Sequence, residues 1–470
     1  MGERKVMVMR LVFYFVASFT LTTLLNAQPV KSYQITADFF PSDARMHDLP
    51  VAPDAFMRAS AVTELREFST DTIYFYLHGE LTVDSILQDD KKVSFSIDKS
   101  LYYYNYSWIA TKAAISSSEI NSGKPFTIYY SGFFNPSGAR SLSDYMRINK
   151  HEGVFLRSYG YSLWFPVFLN SGEDSYAADF RQITISVPEN FKVLVTGELI
   201  SEQVEGHNMT AVWQPGITDI TELQCTARNY DMMDRENVYI YHINNEANGR
   251  KILDYAIALK KIYSRHLMKS EASVPLYIME MPAYGNISSE NVVGLTSEIF
   301  NDFEQELSSK LTIAHELVHP FVKIPISMNN PLYAFVVEGF PSFFQIYALK
   351  KLDAEFDLKG YMKQLETKYL KKRQSDRYPV EKAILLIKPD EIGTYKDKFV
   401  LNDRVWLFFY DLWVQMGADN FDDFLITLFQ FDKIDYNRFA DLILRFIPDY
   451  RNRLNIWLNT TEFTEDMYID

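Results

Sequence analysis

The chain has 470 residues and a formal net charge of −14 at pH 7, from 61 acidic and 47 basic side chains. This acidic balance, without a cluster of lysines and arginines, argues against nucleic acid as a partner, because the phosphate backbone would be repelled. With one cysteine, Cys225, the chain can form no internal disulfide, so its stability must come from a core drawn from the 47% of residues that are hydrophobic.

The amino terminus has the pattern of a secretory signal peptide. Residues 1–10 are net basic, residues 11–25 form an apolar stretch, and a candidate cleavage point follows Ala27. A membrane-spanning helix needs about 20 apolar residues, so the length of the stretch favours a cleaved signal over an uncleaved anchor. We therefore expect residues 1–27 to be removed, the protein to be secreted or periplasmic, and the mature chain to have no transmembrane segment.

Residues 28–236 are expected to form an amino-terminal β domain. Short segments rich in β-branched and aromatic residues follow one another here, among them TIYFYLHGELTV, FTIYYSGFF and TAVWQP. Gly, Asp, Asn or Pro separates them, as is typical of strands joined by turns. This series predicts an antiparallel β-sandwich or saddle.

Residues 237–470 have a different pattern. RKILDYAIALKKIYSRHL places apolar residues at helical spacing, and the strand-like PLYIMEM follows it. Later apolar-periodic stretches, DRVWLFFYDLWVQMG and FDDFLITLFQF, predict further helices. The predicted fold class is therefore α+β, with a β-rich first domain and a mainly helical second domain that contains a small sheet.

The second domain contains HELVH, a motif with the spacing of a zinc site. Its histidines, His315 and His319, are four residues apart and would share one face of a helix, close enough to bind one ion. Glu338, after 18 intervening residues, can supply a third ligand and leave the fourth position open for water. Glu316 is then placed to take the proton of that water. HExxH alone is a weak signal, but both segments are apolar, and buried polar groups need a partner such as a metal. We expect one zinc ion.

These segments resemble the aminopeptidase N (membrane alanyl aminopeptidase) family of gluzincin zinc metallopeptidases. HELVH with VVEGF matches the zinc motif of that family in sequence and spacing. SSENVVGL, with Glu290 and Asn291, is similar to the GAMENWGL segment of the family, and TYKDKF, with Tyr395, is similar to its YEKG segment. YSLWFPVF is similar to a segment of the β domain of the family, so the resemblance covers roughly residues 70–430.

The resemblance implies a thermolysin-like catalytic domain for residues 237–470 and a role for each matched residue. Glu290 would bind the free amino terminus of a peptide substrate, Asn291 would contact the substrate, and Tyr395 would donate a hydrogen bond to the transition state. The peptide would lie along the PLYIMEM strand as an added strand. The chain ends at Asp470, without the long helical carboxy-terminal domain of many relatives, so a more open cleft is expected.

Two departures from the family pattern leave the type of activity open. Ile287, Ser288 and Ser289 stand where the family has Gly, Ala and Met. Pro320 follows the second histidine and cannot donate the helical hydrogen bond to the carbonyl of Glu316, which predicts a kink. An aminopeptidase is expected; the alternatives are an endopeptidase with an open cleft and a catalytically inert relative that binds peptides.

Overall fold

The computed structural model describes residues 30–41, 55–66, 70–104, 108–134, 146–151, 153–156, 163–168, 177–219, 223–243, 245–267, 275–281, 286–322, 326, 330–374, 383–387, 403–431, 433–464 and 467. The described residues form two compact units, one ending at Tyr230 and the other beginning at Asp231. The domain boundary expected after Glu236 stays a prediction. The expected signal peptide, residues 1–27, lies outside the described residues.

The first unit is made of strands. They are β1 (Val30–Phe40), β2 (Ala55–Leu65), β3 (Thr72–His78), β4 (Leu81–Gln88), β5 (Lys91–Lys92), β6 (Phe95–Tyr104), β7 (Trp108–Ser116), β8 (Phe126–Phe134), β9 (Met146–Asn149), β10 (Gly153–Leu156), β11 (Ala177–Pro188), β12 (Lys192–Val195), β13 (Glu198–Glu205), β14 (Asn208–Gln214), β15 (Gly216–Asp219) and β16 (Cys225–Arg228). Among the described residues, the largest sheet has nine strands in the order β13-β14-β11-β1-β2-β8-β4-β5, with β15 also paired to β11. Smaller sheets have the orders β12-β16-β10-β9 and β3-β7-β6.

The strands of the large sheet alternate between buried and exposed residues, as expected for a sheet with one face in a core. Neighbouring strands are antiparallel except β1 and β11, which run parallel with Tyr33 beside Phe180. The rings of these two residues stack at a centroid distance of 5.1 Å, and the hydroxyl of Tyr33 donates to the carbonyl of Pro166. The predicted antiparallel β domain is confirmed, except that β1 and β11 form a parallel pair.

The second unit combines one sheet with helices. Its strands are β17 (Asp231–Arg235), β18 (Val238–His242), β19 (Leu276–Met281), β20 (Ile287–Ser289) and β21 (Val292–Thr296), in the order β17-β18-β19-β21-β20. Its described helices are α1 (Glu246–Leu267), α2 (Ser297–Asp302), α3 (Leu307–Val318), α4 (Phe340–Leu352), α5 (Leu358–Arg373), α6 (Val405–Met416), α7 (Ala418–Phe429), α8 (Tyr436–Phe446) and α9 (Arg451–Asn459). The predicted mainly helical domain with a small sheet is confirmed.

Helix α1 packs on strand β18 and on helix α3, which in turn packs on α4. The buried residues of α1 recur at helical spacing, at Ile252, Ala256, Leu259 and Tyr263. They belong to one hydrophobic cluster that includes the apolar faces of α3 and α4. Burial of each large apolar side chain in this cluster contributes about 1.5–3 kcal/mol to the stability of the fold. This packing holds the helix that carries HELVH in place. None of the described helices is long and apolar enough to cross a membrane.

Candidate metal centre

Helix α3 places the two histidines of HELVH side by side. Its apolar residues, including Ile313, Ala314 and Leu317, are buried in the core. The polar residues of the motif therefore lie on the less buried face of the helix. His315 lies in the last turn of α3, and His319 follows directly after the helix. The Nε2 atoms of the two imidazoles are 3.3 Å apart.

The helix ends at Val318, and a 3₁₀ turn over His319–Phe321 follows it. Pro320 lies in this turn and has no N–H to donate to the carbonyl of Glu316, so one α-helical hydrogen bond is missing here. The N–H of Val322 donates to the carbonyls of Val318 and His319, both at 3.2 Å. The interruption expected from Pro320 is therefore present, and it leaves the second histidine outside the regular helix.

Glu338 reaches the same place from a π-helical turn, Phe335–Gly339, that precedes α4. The N–H of Phe340 donates to the carbonyl of Phe335, one residue further back than in an α-helix. Pro341 accounts for this widening, because its ring would collide with the carbonyl four residues earlier in a regular helix. The motif spacing predicted Glu338 as a ligand but not the π turn that carries it, for which Pro341 was the available signal. Such turns are frequent at functional sites.

The distances from His315 to the two other donor groups suit a zinc ion. Nε2 of His315 lies 3.5 Å from Oε2 of Glu338, and donor atoms of His315, His319 and Glu338 all lie within 4.8 Å of one another. A tetrahedral ion with bonds of about 2.1 Å separates its ligands by about 3.4 Å, close to both measured short distances. Two imidazoles and one carboxylate form a donor set that zinc accepts, with a fourth position open. The residues present therefore fit a zinc ion.

The protonation state of His319 also suits a metal ligand. Burial lowers the pKa of its imidazole to about 4, and Glu338 opposes this shift only in part. The ring is thus neutral at pH 7, which is the form that binds a metal. Binding at this residue would not have to displace a proton.

The other predicted site residues have different positions. Glu316 is half-buried on α3 between the two histidines. Glu290 and Asn291 form the turn between β20 and β21, and this hairpin packs against α3 and the 3₁₀ turn after it. Tyr395 lies outside the described residues. The roles of all these residues stay predictions.

Glu290 has a backbone conformation that is unusual for a residue with a side chain. Its φ is +36°, in the left-handed region, and such strained residues cluster at functional sites. Asn291 beside it is 5% exposed, and its carbonyl accepts the N–H of Tyr277 at 2.8 Å. The turn is therefore fixed by the sheet, so its position beside the helix of HELVH is well defined.

No protein-family model matches the sequence, and no curated protein matches it either. Solved structures do resemble it. An M1 zinc metallopeptidase from Deinococcus radiodurans has a TM-score of 0.64 at 11% identity, over 94% of this chain and 96% of that chain. Native yeast LTA4 hydrolase has a TM-score of 0.63 at 13% identity, over 93% of this chain and 68% of that chain.

The chain has the M1 zinc metallopeptidase fold. A mutant of the Deinococcus radiodurans protein, bound to a Tyr-Ser-Ala substrate, is similar to the same degree, with a TM-score of 0.63 at 11% identity over 94% of this chain and 96% of that chain. Within this M1 fold, the described part of the second unit contains one group of three histidine or acidic residues able to hold a metal, which is His315, His319 and Glu338.

Proposed function

We propose that this chain is a secreted or periplasmic zinc metallopeptidase of the aminopeptidase N type that removes amino-terminal residues from peptides. The observation that carries the proposal is the convergence of donor atoms of His315, His319 and Glu338 within 4.8 Å of one another on an M1 metallopeptidase fold. The sequence resemblance to aminopeptidase N at HELVH and SSENVVGL supports the same reaction.

Each proposed residue has one chemical task. His315, His319 and Glu338 would hold zinc, which when bound makes a water more acidic and polarises a substrate carbonyl. Glu316 would take the proton of the attacking water and return it to the departing amine. Tyr395 would donate a hydrogen bond to the developing oxyanion, since a phenol with a pKa of about 10 stays protonated at neutral pH.

Glu290 and Asn291 would set the position of cleavage. A carboxylate beside the metal can pair with the ammonium group of a free amino terminus, which fixes the first peptide bond at the reacting centre. The hairpin that carries both residues packs beside the helix of HELVH. Solved structures of the same fold hold short ligands with a free amino group, namely Tyr-Ser-Ala in one and L-arginine and L-tryptophan in two others.

The proposal is tested with a pair of peptides that differ only in an acetyl group on the amino terminus. We expect rapid cleavage of the first peptide bond of the free peptide and little cleavage of the acetylated one. Glu316→Gln should retain zinc and lose activity by about 10²–10⁴-fold, the usual contribution of a general base. Glu306→Gln, at the other end of the same helix and exposed, is the matched control and should retain full activity.

The alternatives give different outcomes in the same assay. Equal rates on the free and acetylated peptides would indicate an endopeptidase. A wild-type protein that holds zinc but cleaves nothing in a broad peptide library would be an inert peptide-binding relative. Wild-type activity in Glu316→Gln would contradict the proposed role of that residue.

A further inference from the structure

We propose that Tyr263 is a positioning residue for the metal centre: from helix α1 it holds the two ends of HELVH in the arrangement that zinc requires. This inference rests on the proposed zinc site and deepens it. Tyr263 is 52 positions before His315 in the sequence, so no motif connects the two.

The first contact of Tyr263 is a hydrogen bond to the main chain of α3. Its hydroxyl donates to the carbonyl of Ala314 at 2.8 Å, and Tyr263 is 1% exposed. Ala314 directly precedes His315, so this bond fixes the peptide unit from which the first imidazole extends. Burial raises the pKa of Tyr263 well above its usual value, so the hydroxyl keeps its proton and remains a donor.

The second contact of Tyr263 lies on the other side of the motif. Its ring packs against the ring of Phe321 at a centroid distance of 5.6 Å and an interplanar angle of 52°. Phe321 ends the 3₁₀ turn that contains His319. One side chain therefore contacts the residue before the first histidine and the residue two positions after the second.

Support from outside the helix matters because α3 stops inside the motif. Pro320 ends the regular hydrogen-bond pattern, so His319 depends on contacts other than those of a continuous helix. The two imidazoles must nevertheless stay about 3.4 Å apart for a tetrahedral ion. Tyr263 is anchored for this task by the packing of α1 on β18 and α3.

Tyr255 provides a control from the same pair of helices. It lies two turns earlier on α1, and its hydroxyl donates to the carbonyl of Lys310 on α3 at 3.2 Å. Lys310 is five residues before His315, so this bond joins the same helices without adjoining the motif. Tyr263→Phe and Tyr255→Phe each remove one hydroxyl that bonds to α3, and only the first removes it beside a proposed ligand.

The test measures zinc dissociation constants by chelator competition, together with the visible spectrum of the cobalt-loaded protein. Tyr263→Phe is expected to bind zinc roughly 10-fold more weakly, the low end of the effect of losing a group that orients a ligand, and to shift the cobalt absorption bands. Tyr255→Phe should stay close to wild type in both measurements. Tyr263→Leu, which also removes the ring contact with Phe321, should bind more weakly than Tyr263→Phe.

The outcomes separate this inference from the proposed function. If the wild-type protein binds no zinc, the proposed function fails. If the wild type binds zinc and Tyr263→Phe matches it in affinity and spectrum, the positioning role alone is overturned. Equal weakening in Tyr263→Phe and Tyr255→Phe would also overturn it, because that result would indicate a general loss of helix packing.

Discussion

His319 and Glu338 show how single side chains suit the proposed metal centre. Burial keeps the imidazole of His319 neutral, with a pKa of about 4, while Glu338 supplies negative charge beside it. A dication would offset the loss of water at the His319 ring and would pair with the Glu338 carboxylate. A zinc ion held by two neutral imidazoles and one carboxylate would give the ion and its ligands a net charge of +1.

The negative charge of Glu338 should be essential for zinc binding. Glu338→Gln keeps the size of the side chain but removes the anion, so zinc affinity should fall by more than about 100-fold, beyond the usual effect of an outer partner. Glu355→Gln, at an exposed position in the same unit, should bind zinc like the wild type. Chelator competition measures both, and unchanged affinity in Glu338→Gln would exclude this carboxylate as a ligand.

At the scale of the element, the strand β3 carries a buried titratable group. His78 ends this strand, is 4% exposed, and accepts the N–H of Glu80 at its Nδ1 atom at 3.2 Å. Burial lowers the pKa of His78 from its ordinary 6.5 to about 4. Protonation at Nδ1 would also remove this hydrogen bond, so the folded chain needs the neutral ring.

The sign of the pH effect follows from proton uptake. Between pH 6.5 and 4 the unfolded chain binds a proton at His78 and the folded chain does not, so stability falls as the pH falls. The loss is absent above pH 6.5 and reaches about 3 kcal/mol below pH 4. His78→Asn keeps an acceptor for the N–H of Glu80. In urea unfolding at a series of pH values, it should reduce the loss of stability below pH 6.5, which we call the acid limb.

The control for this prediction is His207→Asn, because the side chain of His207 is 95% exposed. Its acid limb should match that of the wild type. A wild-type acid limb in His78→Asn would show that His78 does not cause the loss.

The strands and helices also show which features of the fold sequence patterns can predict. Local patterns predicted strands such as β8 and β19 and the helix of HELVH, because each depends on neighbours in the chain. The parallel pairing of β1 with β11 was not predicted, since it joins segments far apart in sequence and strand patterns do not specify partners. Within the site, the spacing of HELVH and the π turn before Pro341 are local features. The contact from Tyr263 depends on the packing of segments far apart in sequence.

At the scale of the whole molecule, the end of the chain is held to the helical unit by a buried cation. Arg404, which precedes α6, is fully buried. Its guanidinium donates to four backbone carbonyls and one phenol, which belong to Ile456, Trp457, Thr460, Glu462 and Tyr369. These carbonyls include the end of α9, where a helix leaves acceptors unsatisfied and a cation is favourable.

Arg404→Met should therefore destabilise the helical unit by about 3 kcal/mol or more, because several buried acceptors lose their donor at once. Circular dichroism in the helical band during urea unfolding reports mainly on this unit, since the other is made of strands. Arg451→Met, at an exposed position on α9, should leave the transition unchanged. Equal transitions in both variants would show that Arg404 is dispensable.

The most direct test of the account is X-ray diffraction from crystals of the zinc-loaded protein at the zinc absorption edge. We predict one anomalous peak per chain, about 2.0–2.2 Å from Nε2 of His315, Nε2 of His319 and a carboxylate oxygen of Glu338. A peak held by other residues, or no peak at these three in protein that was loaded with zinc, would contradict the metal centre and the peptidase function proposed from it.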